Sequence, residues 1–137
     1  MSDTRILLID NEDMDIHRFL VEGLMGNYQV KIYTAHTIEH ALERVKDRHN
    51  IIFYDIGMDS DDDLPVARKL KEYAGSTPFI GTTFNPLVYY ADVKEYFDDL
   101  VQTDLLTLDV FLKLAEKHHV DMTKKPNSET LNNSFVF

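Results

Sequence analysis

The sequence predicts a single α/β domain, a doubly wound sheet of five parallel strands alternating with five helices. Short apolar runs alternate along the chain with segments whose apolar residues recur every three to four positions. The run Ile51–Tyr54 shows no polar alternation, which predicts a strand covered on both faces, as in a parallel sheet. Each connection between runs is long enough to hold a helix and too long for a hairpin.

The first half of the chain contains two strand–helix units. An apolar strand is predicted over residues 6–9, directly before Asp10, and helical spacing follows from about 14 to 25. A second strand is predicted over 28–33. The next helix is predicted over 37–45, with the threonine at its start as the N-cap.

The second half continues with three more units. The same patterns predict strands over 51–54, 78–83 and 100–101, and helices over 64–74, 87–97 and 108 to about 119. From residue 121 the chain is polar and rich in turn-forming residues, before an apolar tip over 135–137. We therefore expect a domain over 1–120 and a C-terminal tail over 121–137, with no second domain.

Composition excludes several classes of function. Acidic residues outnumber basic ones by 24 to 14, a formal charge of -10, so direct nucleic-acid binding is not expected. The 137 residues include no cysteine, which excludes disulfides and thiolate chemistry. No membrane-spanning run or secretory signal is apparent, so we expect a soluble cytoplasmic protein without membrane association.

Two apolar runs end in carboxylates, Asp10 and Asp55. If the strands take the flavodoxin-like order 2-1-3-4-5, the first and third strands are neighbours, and Asp10, Asn11 and Asp55 meet where ligands bind such sheets. Oxygen ligands of this kind suit Mg²⁺. A carboxylate beside the ion can also attack a phosphoryl group, because the metal offsets the charge repulsion.

This pattern resembles the receiver domain of bacterial two-component response regulators over about residues 5 to 118. The resemblance rests on the acid after the first strand, on Asp55 and Gly57 after the third, and on Thr83 after the fourth. It implies that Asp55 accepts phosphate from a histidine kinase or phosphotransfer protein and that Thr83 is the switch hydroxyl. Mg²⁺ would be held by Asp10, Asn11, Asp55 and the Gly57 carbonyl.

Several positions depart from the family pattern. Asn11 stands where the family has its second acid, and an amide oxygen coordinates a metal without contributing charge. Gln102 replaces the lysine that pairs with the phosphoryl group, so it offers a hydrogen bond without a charge. Phe84 occupies a position usually filled by a small residue, where its bulk would gate the pocket.

The resemblance also implies an output surface. Three tyrosines, Tyr89, Tyr90 and Tyr96, crowd the predicted fourth helix and its end, and adjacent tyrosines on a helix cannot all point inward. Asp99 lies near the usual aromatic switch position. We expect this face to bind a downstream protein, with a homodimer as an alternative.

The spacing of two histidines is a weak indication of a metal site on a helix. His36 and His40 are four residues apart, but the cap at Thr37 leaves His36 outside the helix. Both are predicted to be surface residues, as are His118 and His119.

The expected function is that of a response-regulator receiver that signals through protein contact. It implies no enzymatic activity beyond self-phosphorylation and dephosphorylation of Asp55. One alternative is a pseudo-receiver, an interaction module that works without phosphorylation. A metal-dependent phosphohydrolase on a related α/β fold is a second alternative, although no further acid or general-base pattern supports it.

Overall fold

The computed structural model describes residues 3–10, 17–56, 63–84 and 95–126, with only the backbone described at 63 and 64. The strands are β1 (Thr4–Ile9), β2 (Val30–Ala35), β3 (Ile51–Asp55), β4 (Phe79–Thr83) and β5 (Asp99–Gln102). The helices within these ranges are α1 (Arg18–Asn27), α2 (Ile38–Arg44), α3 (Asp63–Ala74) and α4 (Leu108–Lys117). A short 3-10 turn, Thr103–Leu105, links β5 to α4.

The sheet confirms the predicted fold class. Its strand order is β2-β1-β3-β4-β5, and each neighbouring pair is parallel. Because successive strands run in the same direction, the chain must return along a face of the sheet between them, and α1, α2 and α3 lie in the connections that precede β2, β3 and β4. The direction of winding reverses between β1 and β3, which places their carboxyl ends side by side.

Some predicted boundaries differ from the observed ones. The second strand was predicted over 28–33 but spans Val30–Ala35, because Tyr28 instead forms an antiparallel bridge with Lys124. The helix predicted over 87–97 lies mostly outside the described residues. Its predicted end is wrong, since residues 95–97 form a turn and irregular backbone.

The sheet has an apolar core on each face. Successive side chains of β3 alternate between the two, with Phe53 packed on the side of α1 and α4 and Tyr54 on the side of α2 and α3. On the second side Phe97 stacks on Phe79, with ring centroids 5.1 Å apart and planes 5° apart. The continuous apolar run of β3 thus follows from burial on both faces.

Gly81 in β4 allows this aromatic stack to approach the sheet. A Cβ atom at this position would lie 3.0 Å from two ring atoms of Phe97 and 3.1 Å from Cδ1 of Ile56. Both neighbours are buried side chains with little room to move. A larger residue would therefore push the stack away from the strand.

We expect Gly81→Ala to lower the free energy of unfolding by about 1–3 kcal/mol through overpacking. Gly26→Ala is the matched control, because Gly26 lies in α1 with open space around its Cβ position. Alanine there should be neutral or stabilise the protein by up to about 1 kcal/mol. Urea unfolding of both variants measures the difference, and equal losses would contradict this account of Gly81.

The segment after α4 packs against the connection between α1 and β2. The backbone N–H of Gln29 donates to the Thr123 carbonyl at 2.8 Å, and that of Lys125 donates to the Asn27 carbonyl at 2.8 Å. The Thr4 hydroxyl donates to the Asp121 carbonyl at 2.7 Å. Residues 121–126, the beginning of the predicted tail, therefore lie along the amino edge of the sheet.

None of the helices in the described ranges is long and apolar enough to span a membrane.

Candidate functional site

The carboxyl edge of the sheet gathers four of the predicted site residues. Asp10 and Asp55 directly follow Ile9 and Tyr54, which are paired between β1 and β3. Thr83 and Gln102 are themselves paired between β4 and β5. Two further predicted residues, Asn11 and Gly57, lie outside the described residues.

Asp10 is more enclosed than Asp55, with only 3% of its surface exposed. His17 Nδ1 lies 3.3 Å from its Oδ2 atom in a buried hydrogen bond. His36 Nδ1 lies 3.3 Å from Oδ1, close enough for an ion pair but not aligned for a hydrogen bond. Among the described residues Oδ1 therefore accepts no hydrogen bond, and such a buried oxygen is costly unless a cation or donor meets it.

The contact with His36 corrects one prediction from the sequence. His36 was expected to be a surface residue, yet its side chain is only 34% exposed and it contacts Asp10. The register explains this position, because Ile9 pairs with Ala35 and the next residues of both strands emerge together. His40, in contrast, is exposed on α2.

The surroundings of Asp10 suit a divalent cation only in part. Within the described ranges, no three His, Asp or Glu side chains are arranged to hold a metal ion. Mg²⁺ nevertheless keeps several water ligands and needs only one or two carboxylates. The buried Oδ1 atom of Asp10, which lacks a hydrogen bond among the described residues, is a suitable donor for such an ion.

Asp55 is partly buried and lies beside a pair of threonines. The backbone N–H of Ile56 donates to the Thr82 carbonyl at 2.7 Å, which ties the end of β3 to β4. Thr83 is buried, as is Thr82, which pairs with Asp55 in the strand register. Thr82 was not singled out from the sequence, although two adjacent threonines ending an apolar strand were a usable signal.

Two of the residues that depart from the family pattern, Gln102 and Phe84, lie at the same edge of the sheet. The side-chain amide of Gln102 donates through Nε2 to Asp104 Oδ1 at 2.7 Å, so a neighbour in the 3-10 turn holds it. Phe84 directly follows Thr83 and is 60% exposed.

The predicted output face is only partly described, since Tyr89 and Tyr90 fall outside the described residues. Tyr96 is half-buried, and the Arg68 guanidinium lies 5.7 Å from its ring centroid. Asp99 accepts hydrogen bonds from Lys117 Nζ at 2.9 Å and from His118 Nε2 at 2.6 Å. Asp99 thus anchors the start of β5 to the end of α4.

These contacts alter the acidity of Asp99. Burial alone would raise its pKa, but the hydrogen bonds and positive charges of Lys117 and His118 outweigh burial and lower the pKa below its ordinary 3.8. A carboxyl group whose pKa is lower in the folded state than in the unfolded state stabilises the fold at pH values above its unfolded pKa. This stabilisation is lost as the pH falls from about 3.8 through the lower, folded pKa.

We expect Asp99→Asn to lower the free energy of unfolding at pH 7 by about 1–2 kcal/mol, because it weakens two charge-assisted hydrogen bonds. The difference from wild type should shrink as the pH falls from about 3.8 through the lower, folded pKa of Asp99, because the wild-type carboxyl group then becomes protonated as well. The control is Asp121→Asn, an exposed acid in the described part of the chain. Denaturation at several pH values tests this, and a difference independent of pH would contradict it.

Comparison with solved structures finds close matches to the fold. A response regulator protein, TrrA, from Thermotoga maritima, solved in complex with Mg²⁺-BeF, is 22% identical, with a TM-score of 0.67 over 84% of this chain and 98% of that chain. A CheY-like response regulator receiver domain protein from Methanospirillum hungatei is 20% identical, with a TM-score of 0.65 over 86% and 95%.

A third structure is the receiver domain of a sensor histidine kinase from Pseudomonas aeruginosa, with a magnesium ion coordinated in its active site cleft. It is 14% identical, with a TM-score of 0.66 over 85% of this chain and 97% of that chain. No protein-family model and no curated protein matches the sequence. The similarity to these three solved structures confirms the predicted resemblance at the level of fold.

Proposed function

We propose that this chain, whose fold is that of response-regulator receiver domains, accepts a phosphoryl group on Asp55 and signals by contact with another protein. The observation that supports this proposal most directly is that Asp10 and Asp55 follow paired residues of two adjacent parallel strands. Two carboxylates at this edge can hold a cation and present a nucleophile beside it. As such a receiver it would act in the cytoplasm.

The proposed reaction transfers a phosphoryl group from a phosphohistidine of a histidine kinase or phosphotransfer protein. A carboxylate oxygen of Asp55 attacks phosphorus and forms a P–O bond, while the P–N bond breaks and its electron pair leaves with the imidazole. The product is an acyl phosphate on Asp55, which water later hydrolyses. A bound divalent cation supplies positive charge that offsets repulsion between the carboxylate and the phosphoryl group.

The roles of the other site residues belong to the same proposal. Asp10, Asn11, Asp55 and the Gly57 carbonyl would hold the cation, which the relatives from T. maritima and P. aeruginosa suggest to be Mg²⁺. The Thr83 hydroxyl would donate to a phosphoryl oxygen. Gln102 donates one N–H of its side-chain amide to Asp104, and the second N–H of that amide would donate to a phosphoryl oxygen.

Exposed apolar side chains support a protein as the phosphoryl donor. Phe19, Phe84 and Leu105 are 80%, 60% and 55% exposed, and they lie at the start of α1, after β4 and after β5. All three segments begin at the carboxyl edge of the sheet, around Asp55. An apolar rim of this kind is typical of a surface that binds another protein. The face with Tyr89, Tyr90, Tyr96 and Asp99 would then serve the downstream partner or a second copy of the chain.

Two observations favour the pseudo-receiver as a second candidate. The Gln102 amide is already bound by Asp104, and two histidines lie against Asp10. In this alternative the fold is kept as an interaction module, and the carboxylates serve only its local structure.

Beryllofluoride, which mimics a phosphoryl group on a carboxylate, separates the two functions. With Mg²⁺ present, it should shift the backbone amide resonances of wild-type protein around Asp55, Thr83 and Gln102. The same spectra of Asp55→Asn should stay unchanged. If neither protein responds, the pseudo-receiver is favoured and phosphorylation of Asp55 is contradicted.

A further inference from the structure

Three polar side chains form one row at the carboxyl edge of the sheet. Leu8, Phe53 and Ile80 are paired across β1, β3 and β4, and all three belong to the core on the side of α1 and α4. Side chains of a strand alternate between its two faces, so the residues two positions further along lie on this same side. These residues are Asp10, Asp55 and Thr82.

The strand register places Thr82 beside one polar and one apolar neighbour. Thr82 pairs with Asp55 on β3 and with Val101 on β5. The backbone at this point is held in place, because the N–H of Ile56 donates to the Thr82 carbonyl at 2.7 Å. Of the two side chains paired with Thr82, only that of Asp55 can accept a hydrogen bond from its hydroxyl.

The Thr82 hydroxyl is buried without a partner among the described residues. Thr82 is 1% exposed, and its Oγ1 atom makes no hydrogen bond there. A buried hydroxyl in this state is costly, so an acceptor within reach should capture it. Neighbouring strands lie about 4.8 Å apart, and a rotation about the Cα–Cβ bond of either side chain can bring Oγ1 to the carboxyl group of Asp55.

We propose that the Thr82 hydroxyl donates a hydrogen bond to a carboxyl oxygen of Asp55 and thereby speeds hydrolysis of the acyl phosphate. The inference rests on the proposed function, in which Asp55 carries the phosphoryl group. It gives Thr82 a different task from Thr83, whose hydroxyl is proposed to contact the phosphoryl group itself. Thr82 would set how long the phosphorylated state lasts.

The chemistry of hydrolysis explains this effect. Water attacks phosphorus, the P–O bond to Asp55 breaks, its electron pair returns to the carboxylate, and inorganic phosphate leaves with both hydrogens of the water. In a loose transition state the leaving carboxylate already carries most of its negative charge. A hydrogen bond to a charged oxygen is stronger than one to a neutral oxygen, so the Thr82 hydroxyl stabilises the transition state more than the acyl phosphate.

Phosphorylation should respond much less than hydrolysis. The attacking carboxylate is charged in the ground state and keeps most of that charge in a loose transition state. The hydrogen bond from Thr82 is therefore about equally strong in both states, and its loss changes the rate of phosphorylation little. A general distortion of the site would instead affect both reactions.

The test measures the lifetime of the acyl phosphate in the full chain. Wild type, Thr82→Val and Thr82→Ser are phosphorylated with acetyl phosphate and Mg²⁺, the donor is removed by rapid desalting, and intact masses are followed over time. Thr82→Val keeps the shape of the side chain and should lengthen the lifetime about five- to tenfold, from the difference between charged and neutral hydrogen bonds. Its rate of phosphorylation should stay within about twofold of wild type, and Thr82→Ser should restore the wild-type lifetime.

The matched control is Thr103→Val. Thr103 is also buried, and its Oγ1 atom likewise has no hydrogen-bond partner in the described part of the chain. It follows β5, however, and β4 separates that strand from Asp55 on β3. Thr103→Val makes the same chemical change at similar burial and should leave the lifetime within about twofold of wild type.

Three results would overturn the inference: a lifetime of Thr82→Val within about twofold of wild type, an equal lengthening in Thr103→Val, or no recovery with serine. In each case phosphorylated wild-type protein is still observed, so the proposed function stands. A wild-type protein that gains no phosphoryl group would contradict the proposed function and this inference together.

Discussion

Phe97→Ala is expected to lower the free energy of unfolding by about 3–5 kcal/mol, because it removes a buried ring and leaves a cavity. Phe97 is 3% exposed, and its ring stacks on Phe79 and on Tyr54, with centroids 5.1 and 6.0 Å away. Gly81, against which the ring also packs, has no side chain that could fill the space.

Phe19→Ala is the control for this substitution. Phe19 is 80% exposed on α1, so its removal should change the free energy of unfolding by less than about 0.5 kcal/mol. Urea denaturation of both variants gives the comparison. A loss below about 1 kcal/mol for Phe97→Ala would contradict its place in the core.

Restoration of the missing charges should strengthen the phosphoryl site. The double variant Asn11→Asp with Gln102→Lys adds a carboxylate for the cation and an ammonium group for the phosphoryl oxygens. Hydrogen bonds to charged groups contribute about 1.5–3 kcal/mol, against about 0.5–1.5 for neutral ones. We therefore expect the double variant to bind beryllofluoride, with Mg²⁺ present, at least about tenfold more tightly than wild type.

A charge change far from the site provides the control. Gln29→Lys makes the same substitution beside the amino end of β2, at the opposite edge of the sheet. It should leave beryllofluoride affinity within about twofold of wild type, because solvent and salt screen a charge at that distance. If the double variant gains no affinity, the account of Asn11 and Gln102 as the weakened positions is contradicted.

The sequence predicted the fold and the acidic edge because both follow from local patterns. Apolar runs that end in Asp10 and Asp55 are visible in the printed sequence, and the parallel order brings such strand ends together. His36 was misassigned because its contact depends on the register of β2 against β1. Periodicity within one segment contains no information about that register.

Two other contacts show the same limit. Lys124 bridges to Tyr28 from a polar segment with no strand pattern, so only the folded chain reveals the pairing. The bond between Gln102 and Asp104 is local, yet it depends on the 3-10 turn that follows β5. Sequence reasoning identified Gln102 as a departure and could not show that a neighbour holds its amide.

The proposed function depends most directly on whether Asp55 becomes phosphorylated. Wild-type protein and Asp55→Asn are incubated with acetyl phosphate and Mg²⁺, and their intact masses are compared before the acyl phosphate hydrolyses. The account predicts that wild type gains the mass of one phosphoryl group and that Asp55→Asn gains none. An unmodified wild-type mass, or an equal gain by both proteins, would contradict Asp55 as the phosphoacceptor.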